Sequence, residues 1–301
     1  MTVTVALCTR DRAPVLAVAL DDLRAELAGA PGVEVLVVDN GSADATPAVV
    51  ASRAGWPALR SVVEPTPGLS HARNRALAES AADWIVFLDD DAFVQPGWRD
   101  ALLDAVARPG VRLVGGPIEP RFEAPPPAWF DRSMSRRTFG PEGPLPDAAA
   151  RLGFSGGNLA VRRDALLAVG GFDPGLGMVG GALGLGEETE MAGRLFDRFG
   201  NVTWHAPAMA VEHLEPAAKQ TLGYVARRAF LNGRQSWRYA PGGRGRRAVW
   251  SVLKAGKQVA TGLAAAPVGV VRRPALHRAI RALATGAGAL AGAVDAGRAG
   301  G

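Results

Sequence analysis

The chain has 301 residues, of which 48% are hydrophobic and 21% charged, a composition that excludes a disordered protein and fits one large or two small domains. The formal charge of +5 is uneven: residues 217–301 carry 15 Lys and Arg but one acid, which favours an anionic partner for that segment. The single cysteine, Cys8, excludes an internal disulfide and predicts a cytoplasmic protein, and we expect neither a signal peptide nor a membrane-spanning helix.

Strands and helices alternate through the first 115 residues. The pattern predicts strands over 2–9, 33–38, 59–63, 84–88 and 111–115, and helices that begin near Pro14, Thr46, His71 and Pro96. This alternation is typical of βαβ units, so it predicts an α/β fold built on a mostly parallel sheet.

The second half of the chain is less regular. Eight prolines from Pro117 to Pro146 predict an irregular excursion, and the glycine-dense stretch 170–186 predicts a tightly turned or mobile loop. The remaining pattern predicts a strand over 154–162, a helix over 187–199, short strands over 201–205 and 208–213, and a basic amphipathic helix over 217–239.

The strand predicted over 84–88 ends in three acids, Asp89, Asp90 and Asp91. Its five apolar residues predict a strand covered on both faces, and ligands of open parallel sheets bind beyond the carboxyl ends of such strands. Three adjacent carboxylates repel one another, so Mg²⁺ or Mn²⁺ is a natural partner. In an extended backbone Asp89 and Asp91 point to the same side and could share one metal. The alternative is a solvated acidic turn that caps the next helix.

Another acid, Asp39, ends the strand predicted over 33–38 at the same edge of the sheet. The polar turn Thr9-Arg10-Asp11-Arg12 follows the first strand at that edge too. Two acid-tipped strands predict a pocket in two parts. For Asp39 taken alone, a role in capping the following turn is the commoner explanation.

Arg73 is predicted within the first turns of a helix, where a cation opposes the helix dipole. That cost suggests that Arg73 meets a phosphate group or a carboxylate of the metal site. The alternative is an ordinary surface arginine.

Three acids lie at the start of the helix predicted over 187–199. Glu188 continues the apolar stripe of this helix, whereas Glu190 precedes Arg194 by four residues and is predicted to pair with it on the surface. We therefore expect Glu188 to face inward, where burial would raise its pKa and suit a general base. The alternative is a favourable placement of acids at the helix N-terminus.

His213 ends the second of the two short strands and lies between Glu212 and Glu215. Those neighbours make metal binding a reasonable hypothesis for His213. A lone histidine is more often a structural residue, so the alternative stays open.

With these segments in place, the chain resembles the inverting GT-A glycosyltransferases of family 2. The segments that carry the resemblance occur in the family's order and cover about residues 1–240. They are Val5-Ala6-Leu7-Cys8-Thr9-Arg10-Asp11-Arg12, Val37-Val38-Asp39-Asn40-Gly41-Ser42, Gly68-Leu69-Ser70-His71-Ala72-Arg73-Asn74, Phe87-Leu88-Asp89-Asp90-Asp91, Gly156-Gly157-Asn158, Gly171-Phe172-Asp173, Gly186-Glu187-Glu188-Thr189-Glu190 and Val211-Glu212-His213.

The resemblance implies a role for each matching position. The residues implied to bind the nucleotide sugar are Thr9, Arg10, Asp11, Asp39, Arg73, Asn74, Asp89 and Asp90. Those implied to hold a metal are Asp89, Asp91 and His213. Those implied near the acceptor are Gly156, Gly157, Asn158 and Glu187. Glu188 matches the family's catalytic base, a position at which many members have Asp.

The resemblance also implies a fold and an activity. The fold is a GT-A domain over residues 1–240, with a doubly wound, Rossmann-like nucleotide-sugar half (1–115) and an acceptor half (116–240). The activity is metal-dependent, inverting transfer from a nucleotide-diphosphate sugar, a UDP-sugar being favoured, to a hydroxyl of a glycan, lipid-linked or secondary-metabolite acceptor. Mn²⁺ or Mg²⁺ would serve as cofactor, and the loop over 170–186 would close over the acceptor.

Other classes of function remain to be compared. A sugar nucleotidyltransferase would need a glycine-rich, lysine-bearing phosphate loop after the first strand, which is missing from Thr9-Arg10-Asp11-Arg12. A non-catalytic nucleotide-sugar-binding scaffold would not need the acids at Asp91 and Glu188.

The basic extension over 241–301 has two possible roles. It is predicted either to lie on an anionic membrane surface, which would make the protein peripheral at the inner face of the membrane, or to be a solvated helical appendage. Its aromatic residues form no stacking motif for nucleic acid.

Overall fold

A computed structural model describes residues 1–179, 184–238, 244–271 and 273–298. The chain divides into two compact units. The first, which we call the sheet unit, comprises Met1–Glu119, Arg136–Ala182 and Glu187–His213. The second, which we call the helical unit, comprises Pro120–Ser135, Leu183–Gly186 and Leu214–Gly301.

The strands and helices follow one another along the chain with few long connections. The strands are β1 (Val3–Thr9), β2 (Val33–Asp39), β3 (Leu59–Val63), β4 (Trp84–Asp89), β5 (Ala92–Val94), β6 (Leu113–Gly115), β7 (Ile118–Phe122), β8 (Asn158–Arg162), β9 (Thr203–His205) and β10 (Val211–Glu215). The α-helices are α1 (Ala13–Glu26), α2 (Thr46–Ala51), α3 (Leu69–Glu79), α4 (Trp98–Val106), α5 (Asp147–Ala150), α6 (Arg163–Ala168), α7 (Glu187–Phe199), α8 (Leu222–Gln235), α9 (Arg244–Val271) and α10 (Arg273–Arg298).

Seven strands form the central sheet in the order β3-β2-β1-β4-β8-β6-β9. Only β8 runs antiparallel to its neighbours β4 and β6, so the predicted mostly parallel sheet is confirmed. The register places Thr9 opposite Asp39 and Cys8 opposite Asp89. The carboxyl ends of β1, β2 and β4 therefore lie at one edge of the sheet, where ligands of such sheets bind.

The sheet has a buried core on both faces. The strand β4 is buried from Trp84 to Leu88, as its uninterrupted apolar sequence predicts. On α1 a stripe of Leu16, Leu20 and Leu23 is buried, as is Leu27, which caps the C-terminus of the helix. Burial of side chains of this size stabilises a fold by roughly 1.5–3 kcal/mol each, so these positions carry much of the sheet unit's stability.

The sequence pattern missed two strands of a second, three-stranded sheet with the order β5-β10-β7. The strand β5 has three residues and follows Asp91 at once, and its pairing with β10 joins segments more than 100 residues apart in sequence. Short strands held by distant partners carry little local signal. The helix predicted from His71 begins at Leu69 instead, and the strand predicted over 154–162 forms only over Asn158–Arg162.

The helical unit contains α8, α9 and α10. A side chain on Gly233 would meet the backbone oxygen of Thr285, and one on Gly288 would meet the backbone oxygen of Phe230. These glycines allow α8 and α10 to approach closely, so α8 belongs with the C-terminal helices although its sequence was assigned to the domain ending at residue 240. Among the described residues, no helix combines the length and apolar character that crossing a bilayer requires.

The close contact of α8 with α10 predicts opposite effects of two Gly→Ala substitutions. A Cβ on Gly288 would lie 1.9 Å from the oxygen of Phe230, whereas a Cβ on the exposed Gly256 of α9 would meet nothing within 4 Å. We expect Gly288→Ala to destabilise the helical unit by about 1–3 kcal/mol. The matched change Gly256→Ala should stabilise it by about 0.5–1 kcal/mol through helix propensity. Thermal unfolding of both variants measures this, and a Gly288→Ala protein as stable as Gly256→Ala would contradict the close packing.

Candidate active site

The three acids after β4 meet a histidine from β10. The antiparallel pairing of β5 with β10 sets His213 opposite Ala92, next to the acids in sequence. As a result His213 Nε2 lies 3.0 Å from Asp91 Oδ1 and 3.6 Å from Asp89 Oδ2. The structure therefore brings together the three residues implied as metal ligands, although 122 residues separate Asp91 from His213.

The charges in this group shift each other's pKa. Burial alone would lower the pKa of His213, but hydrogen bonds and charge from Asp89 and Asp91 raise it to about 9. For Asp89 burial would raise the pKa, whereas His213 and then Arg73 lower it below its usual value. The two carboxylates are thus stabilised by positive charge around them.

The three side chains fit a divalent cation. One ligand atom from each of Asp89, Asp91 and His213 lies within 4.8 Å of the other two. Two carboxylate oxygens and one imidazole nitrogen form a donor set that suits a hard or borderline metal such as Mg²⁺ or Mn²⁺. The cluster could therefore bind a metal, as the sequence pattern predicted.

The middle acid of the triplet, Asp90, is engaged elsewhere. Its Oδ2 accepts a hydrogen bond from Thr9 Oγ1 at 2.6 Å, and its Oδ1 lies 3.1 Å from Arg12 Nε. Burial, opposed by Arg12 and reinforced by Asp91, raises the pKa of Asp90 to about 7. Thr9 and Asp90 thus bind each other inside the fold, and their contact with the nucleotide sugar stays a prediction.

Arg12 also reaches the outer acid. Its Nη2 donates a hydrogen bond to Asp91 Oδ2, so one guanidinium bridges Asp90 and Asp91. In the sequence Arg12 stands out only as part of a polar turn, and its contact with the acids was not predicted. Two buried carboxylates side by side, such as Asp90 and Asp91, need a cation nearby. A search of the sequence for that cation could have identified Arg12.

Arg73 is the buried cation on the other side of the site. Its Nη1 donates a hydrogen bond to Glu187 Oε1 at 2.9 Å, and its Nη2 lies 3.7 Å from Asp89 Oδ1. Its side chain is 4% exposed and that of Glu187 6%. Of the two partners predicted for Arg73, the structure provides the carboxylates, one from the candidate metal site and one from α7.

Two adjacent glycines make room for this arrangement. A Cβ on Gly156 would lie 2.4 Å from the guanidinium of Arg73, and a Cβ on Gly157 would lie 2.5 Å from Asp89 Oδ2. Both distances are shorter than real Cβ contacts, so a side chain at either position would displace Arg73 or Asp89 from the arrangement described above. Gly156 and Gly157, which the family resemblance implied near the acceptor, lie against Arg73 and Asp89 in the structure.

The structure buries Glu187 more fully than Glu188, the acid of α7 that was predicted to face inward. Glu187 is buried, Glu188 is half-buried, and only Glu187 pairs with Arg73. Spacing could not separate the two, because each lies three or four residues before Met191 on the buried face. Burial and the charge of Glu188 raise the pKa of Glu187, although Arg73 opposes that rise.

Glu188 keeps a feature that a proton acceptor needs. Its Oε2 is buried from solvent and has no hydrogen-bond partner among the described residues. Glu190 pairs with Arg194 Nη2 at 2.6 Å, as predicted from their spacing. Among the described residues, Glu187 forms an ion pair with Arg73 and Glu190 one with Arg194, whereas the charge of Glu188 acts on Arg73 without an ion pair between them.

The loops after β1 and β2 hold each other at the sheet edge. Asp11 Oδ1 accepts a hydrogen bond from the backbone of Ala43, and Ser42 Oγ accepts one from the backbone of Asp11. Asp39 is buried, and its Oδ1 accepts a hydrogen bond from the backbone of Ser42. Asp11 and Asp39 therefore lie together as predicted, while Arg10 is exposed and its Nε lies 3.6 Å from Asp11.

Two asparagines with predicted binding roles make hydrogen bonds inside the protein. Asn158 is fully buried; its Oδ1 accepts a hydrogen bond from Trp98 Nε1, and its Nδ2 donates to the backbone of Met209. Asn74 exchanges two hydrogen bonds with the backbone of Phe172. Both amides are thus used within the protein, and the roles of Asn158 near the acceptor and of Asn74 near the donor stay predictions.

The loop predicted to close over an acceptor is only partly described, since residues 180–183 lie outside the described residues. Its first part is fixed to α3. The backbone of Leu69 donates to the oxygen of Met178, and Ser70 Oγ donates to the oxygen of Leu176.

With this geometry established, comparisons with known proteins identify similar chains. The sequence model described as glycosyl transferase family 2 matches residues 4–170, more than half of the chain. The succinoglycan biosynthesis protein ExoM of Rhizobium meliloti is 29% identical over 197 residues, 64% of this chain and 60% of that protein. A glucosyl-dolichyl phosphate glucuronosyltransferase of Haloferax volcanii is 24% identical over 55% of this chain and 54% of its own length. The chain thus spans little more than half of these relatives.

A solved structure resembles the whole chain. The mannosyltransferase PcManGT from Pyrobaculum calidifontis, in complex with GDP-Man and Mn²⁺, matches with a TM-score of 0.58 and 22% identity, over 99% of this chain and 75% of that one. At this identity the likeness shows the fold alone. It confirms the GT-A fold that the sequence resemblance implied, with a C-terminal helical extension.

The different contacts of neighbouring acids predict that only one of two similar substitutions impairs metal binding. Asp91→Asn removes a candidate ligand, and we expect Mn²⁺ affinity to fall by at least about tenfold, the effect that loss of even an outer-sphere partner often has. Asp90→Asn makes the same chemical change at the residue engaged with Thr9 and should keep the affinity within about threefold. Electron paramagnetic resonance of free Mn²⁺ measures both. Equal losses in the two variants would remove Asp91 from the site.

Proposed function

This chain belongs to glycosyl transferase family 2, and from that premise we propose that it transfers a sugar from a nucleotide-diphosphate sugar to an acceptor hydroxyl with inversion at the anomeric carbon. One observation carries the proposal. At the carboxyl end of β4 a candidate metal cluster, Asp89, Asp91 and His213, is joined through Arg73 to the acids that begin α7. A single displacement on a diphosphate sugar requires these two elements, a cationic site for the leaving group and a base for the acceptor.

The donor would lie along the sheet edge. Asp11 and Asp39, which both make hydrogen bonds with Ser42, would accept hydrogen bonds from the nucleoside. Asp89, Asp91 and His213 would hold Mn²⁺ or Mg²⁺, which when bound neutralises charge on the leaving diphosphate. Arg73 is fixed by Glu187 and would add positive potential beside Asp89.

Glu188 would act as the base. Its buried and unpartnered Oε2 would take the proton of the acceptor hydroxyl while the hydroxyl oxygen forms a bond to the anomeric carbon. The bond from that carbon to the diphosphate breaks with its electron pair on the leaving oxygen. One displacement inverts the configuration, and the transition state is oxocarbenium-like by analogy with glycoside hydrolysis.

We propose a lipid-linked saccharide as the acceptor. The support is a relative whose name contains glucosyl-dolichyl phosphate, a sugar on a lipid carrier. The donor's base is a separate question, because the solved neighbour holds GDP-Man while our expectation from sequence is a UDP-sugar.

The role of Glu188 predicts a loss of turnover with donor binding retained. We expect Glu188→Gln to slow release of UDP from UDP-glucose, or of GDP from GDP-mannose, by at least about 100-fold, the usual contribution of a general base. The matched change Glu190→Gln alters an acid that pairs with Arg194 and should leave the rate within about twofold. Coupled-enzyme assays of diphosphate release measure the rates, and calorimetry measures donor binding. If Glu188→Gln loses donor binding instead of turnover, Glu188 is not the base.

The nucleotide site predicts metal-dependent binding of one nucleoside diphosphate. We expect calorimetry to detect UDP binding in the presence of Mn²⁺ and a clear loss of affinity without it, because the metal offsets repulsion between the diphosphate and the aspartates. GDP and dTDP are the matched comparisons. Tighter binding of GDP would correct the donor, and no binding of any of the three would point to a non-catalytic scaffold.

A further inference from the structure

The helix α9 carries an apolar face that nothing in the described helical unit covers. Its members recur at intervals of three and four residues and are exposed by 50–68%. They are Val249, Val252, Leu253 and Leu263. Gly256 and Ala260, also exposed, continue the same face between them.

The opposite face of α9 is packed on α10. Ser251 and Ala255 are buried, as is Gly262, on which a Cβ would lie 2.6 Å from the side chain of Leu283. The helix is therefore held by its small residues, while its large apolar residues lie on the surface. Helices of globular proteins usually show the reverse arrangement, so the exposed face needs a partner.

Charge indicates what kind of partner fits. The helix α9 contains five Lys and Arg and no acid. Lys257 is exposed beside the apolar face, and Lys254 Nζ lies 4.9 Å from the ring centre of Trp250 at its flank. A helix with apolar residues on one side, basic residues and a tryptophan beside them, and too little apolar sequence to cross a bilayer is suited to the surface of an anionic membrane.

Two other partners fit less well. A second copy packed face to face through α9 would bring the exposed Lys257 of each copy to the same interface, with no acid in the sequence of either helix to offset the repulsion. Nucleic acid would meet the basic residues but would leave the four large apolar side chains against water or phosphate. Anionic lipid satisfies both parts of the face, since acyl chains receive the apolar residues and headgroups receive the lysines.

We propose that the outer face of α9, formed by Val249, Val252, Leu253 and Leu263 with Lys257 at its flank, binds the surface of an anionic lipid bilayer. This inference extends the proposed use of a lipid-linked acceptor and names the surface that would bring the enzyme to it. It rests on α9 and α10 alone, so binding can be measured in protein that has no catalytic activity.

The test is flotation of the full chain with vesicles of phosphatidylcholine and phosphatidylglycerol, compared with phosphatidylcholine alone. We expect binding to the anionic vesicles only. Leu253→Glu should lower the partition coefficient by about tenfold or more, and Leu253→Ser, which adds no charge, by about fivefold. Lys257→Gln should lower it by about fivefold through lost attraction to the headgroups.

The control is Leu167→Glu on α6, which makes the same change at a leucine that is 48% exposed in the sheet unit. It should bind vesicles as the unchanged protein does, and thermal unfolding shows whether each variant is folded. Absence of flotation by the intact protein would overturn the proposal, as would equal effects of Leu253→Glu and Leu167→Glu. A dimer in sedimentation that Leu253→Glu dissociates, without vesicle binding, would assign the face to a second copy and would overturn it too. Loss of diphosphate release with vesicle binding intact would count against the proposed reaction and leave this surface in place.

Discussion

The buried guanidinium of Arg73 is the interaction on which the site depends. It lies between Asp89 at the end of β4 and Glu187 at the start of α7, elements that are 98 residues apart in sequence. Its charge is almost fully removed from water, so it must be matched by carboxylates at short distance. Phe87 and Phe172, whose rings lie 5.9 and 5.4 Å from it, exclude water on its other sides. A Cβ on Gly156 would lie 2.4 Å from the guanidinium and would displace it from this position.

The site is thus an arrangement of alternating charges. Arg12 bridges Asp90 and Asp91, His213 contacts Asp91 and Asp89, and Arg73 joins Asp89 to Glu187. Each acid that would repel its neighbour has a cation within reach, which is why three consecutive aspartates can be accommodated at the edge of a packed sheet. Glu188 lies next to this network, and its charge also acts on Arg73, but among the described residues the ion pair of Arg73 on α7 is made with Glu187. Glu187 therefore has a structural role beside Arg73, whereas the role that we propose for Glu188 is chemical.

Much of the fold could be predicted from the sequence, because its strands and helices repeat a strong local pattern. The buried β4, the stripe on α1 and the limits of α7 follow from hydrophobic periodicity alone.

The site could be predicted only in part. Acid-tipped strands indicated Asp39, Asp89 and Asp91, but the choice between Glu187 and Glu188 depends on a helix rotation that spacing does not determine. The partners of Asn74 and Asn158 are distant in sequence and left no local signal. The close packing of α8 on α10 was missed because glycine lowers helix propensity, whereas here it permits helix contact.

A double-mutant cycle on Arg73 and Glu187 tests the central claim most directly. Arg73→Met leaves Glu187 buried without its partner and should reduce the free energy of unfolding in urea by about 3–5 kcal/mol. Adding Glu187→Leu removes the unpaired acid and should restore at least about 2 kcal/mol of that loss, a coupling energy expected only for residues in contact. Strictly additive effects of the two substitutions would contradict the account, because they would mean that Arg73 and Glu187 do not depend on each other in the folded protein.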